Sequence, residues 1–149
     1  MFTVSRGRTA ALAAAVALLA SGAVTSRAHA SAATAASAPA LFTAAQAAAG
    51  SKDYEAKCAA CHGEQLEGGA GPALSGDTFR TLAKNTKLTV GDLFNFISQQ
   101  MPLNEPATLS HGQYAAIMAF ILKTNGYRAG PKALTFAGAK VSKVRITPK

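Results

Sequence analysis

The chain has 149 residues, with 15 Lys and Arg against 7 Asp and Glu, a net charge of +8, and 49% hydrophobic residues. That length suits one domain around one modest core. The basic surplus is not concentrated as a nucleic-acid binder would need; it suits steering toward an acidic protein partner, or a soluble surface.

Residues 1–30 open with Arg6 and Arg8, continue through the small-residue run "TAALAAAVALLASGAVTS" and end in "RAHA", where Ala28 and Ala30 form an A-x-A cleavage site. The run is too short and alanine-rich for a spanning helix of about 20 residues, so it is expected to be a cleaved signal peptide with Ser31 as the first mature residue. No cysteine follows the run, so no lipid-modified start is expected. Removal of Arg6, Arg8 and Arg27 leaves 119 residues carrying twelve basic and seven acidic side chains. The mature chain is expected in the periplasm, with no membrane span.

Residues 31–40 are small and low in complexity, a flexible leader. In "ALFTAAQAAAGSKDYEAKC" the alanines favour helix, and Phe42, Gln46, Gly50, Tyr54 and Cys58 recur every four residues along one drifting stripe. A helix therefore runs into Cys58, with Gly50 and Ser51 as its candidate break. "GEQLEGGAGPALSG" from Gly63 to Gly76 has five glycines and Pro72, which make it an irregular loop. Val90, Leu93, Phe94 and Ile97 predict a short amphipathic helix, stopped by Pro102 and Pro106. Ser110 caps a last helix whose apolar face is Tyr114, Ile117, Met118, Ile121 and Leu122, ended by Asn125-Gly126. The tail, residues 131–149, is basic and alternates weakly around "KVSKVRI", leaving a short strand and a surface wrap both open.

Both cysteines lie in "KCAACHGEQL", residues 57–66. C-x-x-C-H is the haem-attachment pattern: Cys58 and Cys61 each form a thioether to a porphyrin vinyl group, and His62 is brought beneath the iron as an axial ligand. A structural zinc site would need about four ligands, and outside the motif the mature chain offers only His111 as a nitrogen ligand. A thioredoxin-like disulfide would need alternating strands and helices around it.

With "YEAKCAACHG" (54–63), "GPAL" (71–74), "MPLNEPATLS" (101–110) and "YAAIMAFILKTNGY" (114–127) in this order, residues 41–130 resemble a class I c-type cytochrome, of the single-haem exported type similar to the domains that serve quinoprotein alcohol dehydrogenases. The resemblance implies an all-α fold, about four helices and glycine-rich loops around one covalent haem c, with electron transfer as its task. "SHGQY" departs from the family's acidic residues with His111 and Gly112, and the tail has no counterpart.

A His/Met haem needs a sulfur on the far side, and Met101 in its extended Met-Pro context fits better than Met118, which falls on the apolar stripe of the last helix. His111 is the competing ligand. Methionine ligation raises the potential and fills both axial sites, which suits electron carriage over gas sensing or peroxidase chemistry. The resemblance also implies that the carbonyl of Pro72 orients His62. Leu74, Phe94, Ile97 and Leu103 are expected in the apolar haem wall, and Gly50, Tyr54, Tyr114 and Phe120 where the terminal helices cross. The expected activity is a one-electron carrier between a donor dehydrogenase or membrane complex and an acceptor oxidase, not itself an enzyme; the alternative is the electron-accepting subunit of a quinoprotein dehydrogenase. Lys52, Lys57, Lys84, Lys87, Lys123 and Arg128 are the candidate basic surround for partner docking.

Overall fold

The computed structural model describes residues 39–147. The signal peptide and nearly all of the leader therefore lie outside the described residues. Six helices follow in chain order: α1 (Ala44–Lys57), α2 (Ala59–His62), α3 (Gly76–Asn85), α4 (Val90–Gln100), α5 (His111–Thr124) and α6 (Phe136–Lys140). Among the described residues the only β pairing is an isolated antiparallel bridge between Thr89 and Arg145.

The Thr43 hydroxyl accepts from the Gln46 N–H and starts α1. The helix then runs unbroken through Gly50 and Ser51. The reason is packing: Gly50 meets α5 so closely that a Cβ there would fall 1.8 Å from the carbonyl oxygen of Ala116. Glycine's intrinsic cost in a helix, about 1 kcal/mol, is outweighed by the contact its missing side chain allows. The Tyr54 and Phe120 rings meet at 5.3 Å along the same crossing, and Gln113 Nε2 donates to Asp53 Oδ1 at 3.2 Å.

α4 and α5 each begin with a capping box, Thr89 with Asp92 and Ser110 with Gln113. α5 supplies more of the core than any other helix, burying Tyr114, Ile117, Met118, Ile121 and Leu122. α3, which periodicity reasoning left unassigned, buries Phe79 and Ala83; its apolar face is only three positions wide (Phe79, Leu82, Ala83).

The tail resolves the choice between strand and wrap in an intermediate way. Leu134, Ala139 and Ile146 are buried in the core. Gln46 clamps Leu134 from both sides, its Nε2 donating to the Leu134 carbonyl at 2.7 Å and its Oε1 accepting from the Leu134 N–H at 2.8 Å. Farther on, the carbonyls of Val144 and Ser142 accept from the N–H groups of Val90 and Gly91 at 2.8 and 3.0 Å. Those are first-turn donors that α4 cannot satisfy internally. Gly91 has to be glycine for this strap to lie so close, since a Cβ would fall 2.7 Å from the Ser142 carbonyl oxygen.

Candidate functional site

α1 ends at Lys57, Cys58 caps it, and a single turn, α2, carries Cys61 and His62. The glycine loop is pinned beneath that turn: Gly68 N–H donates to the His62 carbonyl and Gly71 N–H to the Cys61 carbonyl, both at 2.8 Å. Leu66, fully buried, closes the loop by accepting from the N–H groups of Leu74 and Ser75. His62 is thereby held edge and face. Its Nδ1 lies 2.7 Å from the Pro72 carbonyl oxygen. A carbonyl only accepts, so Nδ1 is the donor, which in the neutral ring leaves the Nε2 lone pair for a metal. Gly71 lies against the ring itself, and a Cβ at this position would fall 2.8 Å from His62 Cε1.

A cavity of about 1190 Å³ opens in front of this turn, lined by Cys58, Cys61, His62, Pro72, Leu74 and Met101 among others. The volume is just above the roughly 300–1,000 Å³ usual for small-molecule and cofactor sites. Its remaining walls are mostly apolar: Phe79, Leu82 and Leu88 from α3 and its exit, Leu93, Phe96 and Ile97 from α4, and Ile117 and Ile121 from α5. Apolar walls, two thiols, one imidazole with a free Nε2 and one thioether are a donor set and a surface suited to a flat macrocycle carrying a metal.

Met101 enters from the opposite element. It caps α4 in extended geometry (φ −121°, ψ 153°), the backbone region that a residue before proline favours over helix. The Tyr114 hydroxyl donates to the Met101 carbonyl at 2.6 Å and accepts from the Leu109 N–H at 3.4 Å. One phenol thus ties both ends of the 101–109 loop to α5. Asn125, at the end of α5, donates from Nδ2 to the Leu74 carbonyl at 2.8 Å and fixes the far wall.

The electrostatics are those of a sheltered site. Burial pushes the Cys58 thiol up to about 11, with the Asp53 carboxylate and the Cys61 thiol adding to it. Burial likewise raises the Tyr54 phenol, aided by Cys58 and Glu67. Tyr54 instead keeps its proton for a 2.7 Å bond to the Gly63 carbonyl, next to His62.

One expected wall residue lands elsewhere, while Leu103, Met118 and His111 fall where the sequence put them. Phe94 is fully buried and does not line the cavity; it packs edge-on against Phe136 at 5.1 Å. Two residues farther along the helix, Phe96 takes the cavity side. A residue two places away points to a markedly different side of a helix, and the periodic stripe identified burial without saying against what. Leu103 lines the cavity at its exposed rim. Met118 is fully buried in the core, and His111 is exposed and stacked on Phe136 at 3.8 Å, away from the cavity lining. Of the six candidate docking cations, Lys57 borders this cavity, and Lys84 and Lys87 border a different groove. The α3 wall was missed; Phe79, Leu82 and Ala83 at i, i+3 and i+4 were the available signal.

The protein family described as cytochrome c oxidase, cbb3-type, subunit III, matches residues 45–121. Among solved structures, the sulfane dehydrogenase SoxCD from Paracoccus pantotrophus is similar to this chain, with 28% identity over 64% of this chain and 52% of that one, and a TM-score of 0.49. The alignment thus spans about half the length of that chain. No curated protein matches.

Proposed function

Because the chain belongs to this cytochrome c family, whose domain implies haem-based electron transfer, we propose that it is a periplasmic one-electron carrier with a single haem c held by Cys58 and Cys61 and ligated by His62 and Met101. The observation that carries the reading is that one cavity is lined by both thiols, the imidazole and the thioether.

The haem supplies the redox couple, an iron that accepts and returns one electron. The chain's own residues do the rest. Cys58 and Cys61 would hold the group through thioethers. His62 is kept in the Nδ1–H form by Pro72, so Nε2 is the donor atom, and its basicity is strengthened by the bond to the carbonyl. Met101 would supply a weak thioether donor that raises the potential. Tyr114 keeps its backbone in register. Leu74, Leu93 and Ile97 exclude water, and a low-polarity wall strengthens the electrostatic preference for the less charged redox state. His62 and Met101 together would hold the iron through two protein atoms, a donor set that suits electron transfer over oxygen or peroxide chemistry. Lys57 at the cavity border suits a brief, charge-steered encounter with an acidic redox partner.

Among the described residues no helix is long and apolar enough to cross a membrane. Export is supported by the arginines, apolar run and A-x-A site of residues 1–30. Co-expression with haem-maturation machinery, followed by intact mass, tests the reading: the expected mass is that of the chain from Ser31 plus one haem. A mature mass without haem overturns it. Size-exclusion chromatography of the native protein then distinguishes a free carrier from a permanent dehydrogenase subunit.

A further inference from the structure

α3 has two working faces. Phe79 and Leu82 look into the large cavity, while Arg80, Ala83 and Lys84 border a second groove of about 400 Å³. Lys87, just past the helix end, continues that second face, as residues at i, i+3, i+4 and i+7 do on a helix. The opposite wall comes from the tail: Arg145, Ile146 and Thr147, fixed there by the Ile146 N–H donating to the Leu88 carbonyl at 2.9 Å and by the Thr89–Arg145 bridge. Ala83 and Ile146 are buried and give the groove an apolar floor.

Every ionisable side chain lining this groove is cationic: Arg80, Lys84, Lys87 and Arg145. Arg80 has Asp77 at 2.6 Å, and Arg145 acts on Asp92. Among the described residues no carboxylate pairs with Lys84 or Lys87. A cation at the end of α3 is favoured by the helix dipole, which accounts for Lys84. It does not account for Arg145, which arrives from 60 residues along the chain, nor for the backbone at Lys87. Lys87 has φ +55°, and the bond from the Leu88 N–H to the Ala83 carbonyl at 2.9 Å is the helix-ending arrangement that glycine favours there. A long cationic side chain occupies a position where the backbone alone would favour none.

We propose that this groove is an anion site for a phosphate group, either free phosphate or the phosphodiester of an anionic lipid headgroup, distinct from the cavity assigned to the redox group. Lys84, Lys87 and Arg145 supply the charge, and Thr147, whose hydroxyl lies 3.5 Å from the Tyr127 hydroxyl, borders the groove. Because these side chains are exposed, binding is weak and falls with added salt.

The test uses the isotope-labelled holoprotein, titrated with inorganic phosphate at ionic strength held constant with chloride. The expected result is saturable shifts confined to the amides of residues 84–88 and 145–147. Lys87→Gly removes the charge while giving the backbone the residue it favours, so its melting temperature should be unchanged or higher while the phosphate dissociation constant rises about tenfold or more; Lys84→Gln, a solvent-exposed change, should weaken binding similarly. A second arm measures sedimentation with phosphatidylglycerol vesicles against phosphatidylcholine vesicles. Phosphate saturation lost in the variants supports the site with free phosphate as its ligand. Vesicle binding that the variants lose, without phosphate saturation, supports it with the lipid as its source. Shifts that stay linear or spread over all basic residues, with no variant-sensitive vesicle binding, overturn it.

Discussion

The hydroxyl of Tyr114 donates to the carbonyl of Met101 at 2.6 Å, so the first turn of the last long helix directly holds the residue proposed as the second haem ligand. The same hydroxyl accepts from the Leu109 N–H. Tyr114→Phe keeps the buried ring and removes both bonds. We expect a loss of about 1 kcal/mol in urea unfolding and a weakened Fe–S charge-transfer absorption in the ferric protein. An unchanged band would show that the loop holds Met101 without the phenol.

Met101→Ala and Met118→Ala should separate cleanly. The first should lower the midpoint potential and speed cyanide binding, because the thioether donor is gone. The second should retain the charge-transfer band while costing about 2–5 kcal/mol of stability, since Met118 is fully buried and its truncation leaves a cavity. Loss of the band in Met118→Ala, with Met101→Ala unaffected, would move the ligand role to Met118.

Gly50→Ala tests the crossing of α1 and α5. The added methyl would lie 1.8 Å from a backbone oxygen, which no rotamer change relieves, so the helices must separate. Overpacking of this kind costs at least about 1–3 kcal/mol, against a helix-propensity gain of about 1 kcal/mol. A variant as stable as the parent by chemical denaturation would show that the crossing yields without strain.

The Thr89–Asp92 capping box carries a pH dependence. Asp92 Oδ2 accepts from the Thr89 hydroxyl at 2.6 Å and from the Thr89 N–H at 3.0 Å. These bonds, with help from Lys143 and Arg145, hold its carboxyl below the ordinary value. A lowered folded value means that folding favours the ionised form. Its stabilisation is therefore full above the unfolded carboxylate range near about 4 and is lost as pH falls through the lower folded value. Asp92→Asn should be less stable than the parent at neutral pH, with the difference narrowing below about pH 4. A difference that is constant across that range would mean that the carboxylate charge contributes nothing.

Legibility divided along the line between local and long-range causes. The attachment motif in 58–62 is local chemistry at fixed spacing, and Gly71-Pro72 and Met101-Pro102 were readable as the same kind of short signal. The ends of α5 followed from Ser110 and Asn125-Gly126, because caps act within a few residues. By itself, then, the sequence determined the all-helical class, the haem-binding pattern and which methionine stood outside a helical stripe.

Only the tertiary structure decided which neighbour each buried face meets. It turned Phe94 to Phe136 and Phe96 to the cavity, carried the helix through Gly50 because α5 needed the space, and brought Val144 and Ser142 of the tail onto the first turn of α4. It also set Arg145 beside Lys84 and Lys87 around one groove. Periodicity records that a side chain leaves water, because transfer from water is non-directional. The partner it finds is fixed by chain segments tens of residues away, and a one-dimensional pattern does not carry that information.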